Sequence, residues 1–326
     1  MNILITGCAG FIGFHLSNKI ISNKKYKVIG IDNLNSYYDV KLKNDRLKIL
    51  KKNKTFKFLK LDITKINSLK KIFKKYKFDI VINLAAQAGV RDSIYKPQNY
   101  FSYNIQGFYN ILELSRQNNI KHLLYASSSS VYGVKKKFPV KEIDDTSKPN
   151  SFYAASKKCN EIMAYSYSSI HKLNCTGLRF FTVYGPYGRP DMALFKFVDS
   201  FFKNKKINLY NNGNHIRDFT YIDDIINPIY LLLNKKPNNI VPHEIYNLAS
   251  SKPINLKVFL KEIEKNLKSK LRKNNLPLQR GDIHKSHASI EKIQKKTNYK
   301  ITFNHKKGIK EFIDWYIDYY NLNKNV

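Results

Sequence analysis

Two side chains four residues apart, Tyr153 and Lys157 in the stretch SFYAASK, offer the first chemistry in this chain. If Ser151 opens a helix, that interval is one turn and the ammonium rises beside the phenol on the same face. A neighbouring cation favours phenolate, so a side chain whose ordinary pKa is about 10 becomes a usable base near neutrality. Ser128, at the end of the apolar run HLLYAS and within the row SSSSVYG, is positioned to share a proton with that phenolate. The set suits removal of a proton from a sugar or alcohol hydroxyl while its carbon gives up a hydride. Such a pair also occurs on helices by chance, so the reading requires a hydride acceptor elsewhere.

The acceptor is implied at the start of the chain. The apolar run NILIT, residues 2–6, feeds into Gly7-Cys8-Ala9-Gly10-Phe11-Ile12-Gly13, and FHLSNKIIS follows with helical spacing. Strand, glycine turn and helix is the order a dinucleotide requires, because the turn admits the pyrophosphate to the free N–H groups of the helix. A second apolar run, KVIGI at 27–31, ends at Asp32, 19 residues beyond Gly13. A carboxylate there accepts from both ribose hydroxyls and repels a 2′-phosphate, which favours NAD over NADP.

Together these residues resemble the extended short-chain dehydrogenase family, whose T-G-x-x-G-x-x-G and Y-x-x-x-K signatures fall at Thr6–Gly13 and Tyr153–Lys157. The resemblance covers essentially the whole chain. AAQAGVR (85–91), LRFFTVYGPYGRPDM (178–192) and RDFTYIDD (217–224) are similar to blocks of one branch, the UDP-glucuronate 4-epimerases among the nucleotide-sugar epimerases. It implies bound NAD, contacted by Gly7, Gly10, Phe11, Ile12, Gly13, Asp32, Asn33, Asp62, Ile63, Leu84, Ala85, Ala86 and Lys157, with Asp62 toward the adenine. It implies a UDP-sugar held by Arg91, by Arg217, Arg280 and Asp282 at the nucleotide, and by Ser129, Ser130, Thr182 and Arg189 at a sugar carboxylate. Oxidation at C4 turns a uronate into a β-keto acid, and an in-plane, charge-paired carboxylate resists loss of CO₂. The implied reaction is 4-epimerisation through a 4-keto sugar, with Tyr153 and Ser128 moving the proton, and the implied assembly is a homodimer.

Neighbouring reactions stay in view. Decarboxylases and dehydratases of the family resemble one another in placing an acid directly before V-Y-G, where this chain has Ser130; UDP-glucose/galactose 4-epimerases lack the R-P-D-M found at Arg189–Met192. An NAD- or RNA-binding relative without catalysis need not keep Ser128, Tyr153 and Lys157 together. One departure from the branch is Ala288 followed by Ser289, where relatives commonly carry an Asp, and it touches lobe packing or a nucleotide contact more than chemistry.

Composition agrees. With 326 residues, 43% hydrophobic and 13% aromatic, the chain has material for two lobes. The net charge of +34 raises nucleic acid as a partner, but 50 of the 58 basic residues are lysines scattered along the chain, which reads as compositional bias on solvated helix faces. No specific nucleic acid is expected. The eight arginines differ, since a planar fork is hard to replace at an anion site. Five lie in or beside the family-like blocks, and of these Arg179 ends an apolar run and has a buried ion pair as its alternative. Cys8, Cys159 and Cys175 have no metal-ligand spacing, the histidines form no HExxH, and no apolar run is long enough for a membrane span. A cytoplasmic protein without a metal is expected.

The elements that must position these groups are strands at 56–61, 80–84, 122–127 and 175–181, the last closing the cofactor lobe, with helices at 65–76 and 100–118, Asn104 lying near the start of the latter. The fold class is α/β, a Rossmann-type doubly wound parallel sheet with a smaller mixed α/β C-terminal lobe. Residues 1–181 form the NAD-binding part and 182–326 the UDP-sugar-binding part, with some elements free to cross between them. Ligands in open α/β sheets bind outside the strand C-termini, which brings Gly7, Asp32, Ala85 and Ser128 to one rim.

Overall fold

The computed structural model describes residues 1–279 and 282–322. The first half alternates strand and helix: β1 (Asn2–Thr6), α1 (Phe11–Ile21), β2 (Lys27–Asp32), α2 (Val40–Lys51), β3 (Phe56–Lys60), α3 (Ile66–Tyr76) and β4 (Ile80–Asn83). Two short turns, α4 (Asp92–Tyr95) and α5 (Pro97–Tyr100), lead through a π-helical segment at Phe101–Gln106 into α6 (Gly107–Gln117). Then come β5 (His122–Ser128), α7 (Phe152–His171) and β6 (Cys175–Phe180). The second half holds β7 (Thr182–Tyr184), α8 (Ala193–Phe202), β8 (Ile207–Tyr210), β9 (Ile216–Arg217), β10 (Phe219–Tyr221), α9 (Ile222–Leu232) and β11 (His243–Leu248). It ends with β12 (Ile254–Asn255), α10 (Leu256–Asn266), β13 (Lys273–Leu276), α11 (Glu291–Thr297) and α12 (His305–Tyr319).

The main sheet has seven strands, all parallel, in the order β11-β6-β5-β4-β1-β2-β3. Alternation along each strand supplies both faces. Ile3 and Ile5 enter the apolar core shared with α1, α2 and α9, while Leu4 enters the core shared with α3 and α6. A sheet covered on both sides must be apolar in its middle, and β1 and β4 are buried almost throughout while edge strand β3 is not.

The expected end of the cofactor sheet at β6 is corrected by β11, which pairs with β6 from His243↔Cys175 to Leu248↔Phe180. The chain leaves the sheet after β6, builds part of the second lobe, and returns. The return runs through α9, which settles on α1, where Asn23 Nδ2 donates to Tyr230 Oη at 3.1 Å. The second lobe is stitched by short two-stranded sheets, β10 with β7, β12 with β9 and β13 with β8. Its aromatic core gathers Phe195, Phe312, Trp315 and Tyr316 between α8 and α12.

The single helix expected over 100–118 is interrupted. Asn104 lies in the π-helical segment, where its Oδ1 accepts from Gln87 N at 2.8 Å and its Nδ2 donates to Gln87 O and to Ser156 Oγ, both at 3.0 Å. A buried carboxamide satisfied on both ends is compensation for the wider turn. Asn104 thereby ties the segment after β4 to α7, the helix that carries Tyr153.

Candidate active site

The C-terminal rim of the sheet opens into a cavity of roughly 1080 Å³. Gly7, Gly10, Phe11, Ile12, Gly13, Asp32, Asn33, Ile63, Leu84, Ala85 and Ala86 line one half of it. Gly7 has φ +72°, and a side chain on Gly13 would place Cβ 2.1 Å from the Gly7 carbonyl oxygen, so neither position admits another residue without moving the turn. Thr6 Oγ1 donates to Asn83 Oδ1 at 2.7 Å and accepts from Ala85 N at 3.0 Å, which fixes the turn against the strand beside it. No side chain caps the N-terminus of α1. A tight turn delivering uncapped helix N–H groups, with a carboxylate one strand away, is a cradle that fits a dinucleotide.

Asp32 accepts from Ala9 N at 3.2 Å and Leu34 N at 2.9 Å. Burial raises its pKa, and those N–H groups and Lys43 hold the rise in check. Asp62, expected at the adenine, does not line the cavity. It accepts from Asn33 Nδ2 at 2.8 Å and from Thr64 Oγ1 at 2.7 Å, so its visible work is to orient Asn33.

Ser151 opens α7 as expected, its hydroxyl accepting from Ala154 N at 3.1 Å. The serine row divides by strand alternation. Ser127 Oγ donates to Glu161 Oε1 at 2.7 Å in the core, whereas Ser128 caps the 3₁₀ turn Ser129–Tyr132, its Oγ accepting from Ser130 N at 3.2 Å and donating to Ser130 Oγ at 3.1 Å, and shares the cavity wall with Tyr153. Ser129 and Ser130 follow on the cavity wall. The tuning of Tyr153 differs from the expectation. Burial raises the phenol pKa, and the groups pulling it down are Ser128 and the Arg189 charge, with no direct part for Lys157. Lys157 donates to Ala126 O at 3.0 Å, and burial lowers its own pKa to about 7. A buried ammonium is costly unless paired, so Lys157 sits near the balance between charged and neutral.

Arg189 and Thr182 face the same cavity from the second lobe. The Arg189 fork is already engaged: Nε donates to Asp191 Oδ1 at 2.9 Å and the NH2 group donates to Asp191 Oδ2. Arg91 and Arg217 converge on Asp282, their NH2 groups lying 3.1 and 3.7 Å from its carboxylate. Arg280 lies outside the described residues.

Arg179, left between an anion contact and a buried pair, is the latter. Its Nε and NH2 donate to the two oxygens of Glu161 at 2.8 and 2.9 Å. Ala288 bridges to Val140 and donates its N–H to Asp218 at 3.2 Å, while Ser289 N donates to Val140 O at 2.9 Å and Ser289 O accepts from Asn247 Nδ2 at 3.2 Å, so the departure at 288–289 concerns lobe packing.

Sequence reasoning missed Lys43 and Arg46, both buried in a helix that reads as a lysine-rich surface segment. Lys43 lines the cavity and donates to Asn35 O at 2.6 Å. Arg46 donates through NH1 to Ala9 O and through NH2 to Tyr187 O, each at 2.7 Å, joining the glycine turn to the loop that carries Arg189. The signal was present: an arginine where lysine is the habit.

A tyrosine hydroxyl facing a dinucleotide turn across one sheet rim is the working arrangement of the short-chain dehydrogenase class. Within that class the chain belongs to the NAD dependent epimerase/dehydratase family, which residues 3–249 match. It is 46% identical to the Staphylococcus aureus protein called Protein CapI, over 98% of this chain and 99% of that one. It is 39% identical to a probable UDP-glucuronate 4-epimerase of Rhizobium meliloti, over 97% of each. The crystal structure of UDP-glucuronic acid 4-epimerase from Bacillus cereus, in complex with UDP-glucuronic acid and NAD, superposes with a TM-score of 0.92 at 30% identity, covering 98% of this chain and 100% of that one.

Proposed function

We propose that this chain interconverts UDP-glucuronate and UDP-galacturonate by NAD-dependent epimerisation at C4. The observation that carries the reading is that the phenol of Tyr153 shares one cavity with Ser128, the glycine turn and Arg189, and that the Ser128 hydroxyl and the Arg189 charge both pull its pKa down. The relatives named for this reaction support it.

Bound NAD would accept the C4 hydride and return it to the opposite face of the sugar. Tyr153, with Ser128 on the same cavity wall as the proposed relay, takes the proton of the 4-hydroxyl and later gives it back. Lys157, whose pKa burial lowers to about 7, lines the cavity one helical turn after Tyr153 and is the proposed contact of the bound cofactor on that side. Ser129, Ser130, Thr182 and Arg189 are the proposed grip on the carboxylate, with Asp191 occupying the Nε–NH2 edge of the guanidinium and leaving its NH1 end for the substrate. Arg217 and Asp282, which line the cavity, are the proposed contacts of the nucleotide half, and the proposed division is residues 1–181 for cofactor and 182–326 for sugar nucleotide, with α9 and β11 crossing back.

A homodimer is supported by exposed apolar side chains on adjoining elements, Phe101 and Tyr109 before and on α6, Ile162 and Tyr165 on α7. The unpaired thiols Cys8, Cys159 and Cys175 suit a reducing, cytoplasmic compartment. Among the described residues no helix is long and apolar enough to cross a membrane.

The test is incubation of the purified chain with UDP-glucuronate, with separation of products and extraction of bound dinucleotide. UDP-galacturonate and co-purifying NAD are expected. A chain that carries NAD but converts only UDP-glucose would move the assignment to a neutral-sugar epimerase.

A further inference from the structure

Residue His215, at the head of β9, is 4% exposed, yet its Nε2 has no hydrogen-bond partner among the described residues. Its backbone is fixed, since His215 O accepts from Leu256 N at 2.8 Å and the next two residues pair with β12. The ring lines the substrate cavity, and Nε2 lies 3.7 Å from Asp282 Oδ2. Buried polar atoms are almost always paired, so an unpartnered nitrogen aimed into a binding cavity marks a place where a ligand completes the bond.

The chemistry of the gap selects the ligand group. The Asp282 carboxylate only accepts, and Arg91 and Arg217 hold it in place. Arg217, His284 and Arg91 disfavour a charge on His215 and Asp282 favours one; burial is the largest influence, and the outcome is a neutral ring. In the tautomer with its proton on Nε2 the imidazole donates, and a group between that nitrogen and the carboxylate then donates to one side and accepts from the other. A phosphoryl oxygen would meet the carboxylate as like charge, and the uracil N3–H has no lone pair to offer the imidazole. A hydroxyl does both. An oxygen about 2.8 Å from each atom closes a triangle on the 3.7 Å base.

We infer that His215 is a substrate-binding residue that, with Asp282, grips a ribose hydroxyl of the nucleotide and so separates ribonucleotides from deoxyribonucleotides. The inference rests on the UDP-sugar reading of the cavity. It is tested by calorimetric titration of the NAD-loaded protein with UDP, 2′-deoxy-UDP and 3′-deoxy-UDP, for wild type, His215→Leu and His215→Gln. Wild type is expected to bind UDP about tenfold more tightly than the analogue lacking the gripped hydroxyl, a difference of about 1.4 kcal/mol. His215→Leu should lose about that factor for UDP and show no further loss for that analogue, while His215→Gln, which keeps an N–H donor, should recover most of it. Equal affinity of wild type for all three nucleotides overturns the inference even if the Leu variant does not fold. So does a Leu variant that weakens every nucleotide alike, which would make His215 a packing residue. Failure of wild type to bind UDP at all would overturn this inference and the UDP-sugar reading together.

Discussion

Two arginine–carboxylate pairs of the same bidentate form stand in different surroundings. Arg179 and Glu161 are each 2% exposed and lie beneath the sheet rim, with Ser127 also bonded to Glu161. Arg189 and Asp191 are 22% and 30% exposed and face the cavity from a loop. Burial raises the Glu161 pKa and Arg179 more than reverses it, leaving the carboxyl below its ordinary range. Asp191 is lowered in the same way by Arg189. A sealed pair can only hold the fold, because every donor faces a protein acceptor. The open pair keeps part of its fork toward solvent, where a substrate anion can reach it.

That contrast is sharpened first at the chemistry the open region serves. Tyr153→Phe should lower kcat by about 10²–10⁴-fold with the urea unfolding midpoint unchanged, since it removes the proton carrier and little packing. Near wild-type turnover would separate Tyr153 from the reaction. Arg179→Ala should do the opposite. Leaving Glu161 buried without its partner costs about 3–5 kcal/mol in urea unfolding, and activity should fall only as folded protein is lost. If the variant unfolds like wild type, the sealed pair has no structural role.

The open pair makes a subtler prediction. Arg189→Ala should leave unfolding within about 0.5 kcal/mol of wild type. Epimerisation of UDP-glucuronate should fall, and UDP-pentose should appear as the unheld β-keto acid loses CO₂; each tenfold of lost suppression corresponds to about 1.4 kcal/mol. Normal epimerisation without pentose would mean that the fork serves Asp191 alone. The smallest effect is in acid. Burial lowers the pKa of His15, His122 and His243 to about 4 each, against 6.5 for an ordinary imidazole. The unfolded chain therefore binds more protons between those values, so the stability these neutral rings contribute is complete above pH 6.5 and is lost as pH falls toward 4. Urea midpoints measured from pH 7 to pH 5 should decline, and His122→Gln should flatten the decline; an unchanged slope would show that His122 is not titrating with unfolding.

Legibility in the sequence followed how local the determining physics was. Glycine turn, Asp32, Ser151 and the Tyr153–Lys157 interval are short-range patterns, and each element they require is present. Lys43 and Arg46 were hidden because charged residues on a helix ordinarily face water, and here carbonyls from distant loops make burial tolerable. β11, which lies within 182–326, joins the main sheet beside β6, a pairing hidden in the sequence because a strand's neighbours are set by topology, not by its own residues. The π-helical segment depends on Gln87 and Ser156 satisfying Asn104. Asp191 was read only as part of a motif, and His215 has no spacing signal because its partner Asp282 arrives from another part of the chain.

In the proposed reaction the hydrogen taken from C4 returns to the same carbon without exchange with solvent. The direct measurement is reaction of UDP-glucuronate with the NAD-loaded protein in D₂O, followed by NMR of the product at C4. UDP-galacturonate with protium retained at C4 and no net NADH is expected. Deuterium at C4 of that product would contradict it, since the hydrogen would then have come from water and not from the sugar's own C4.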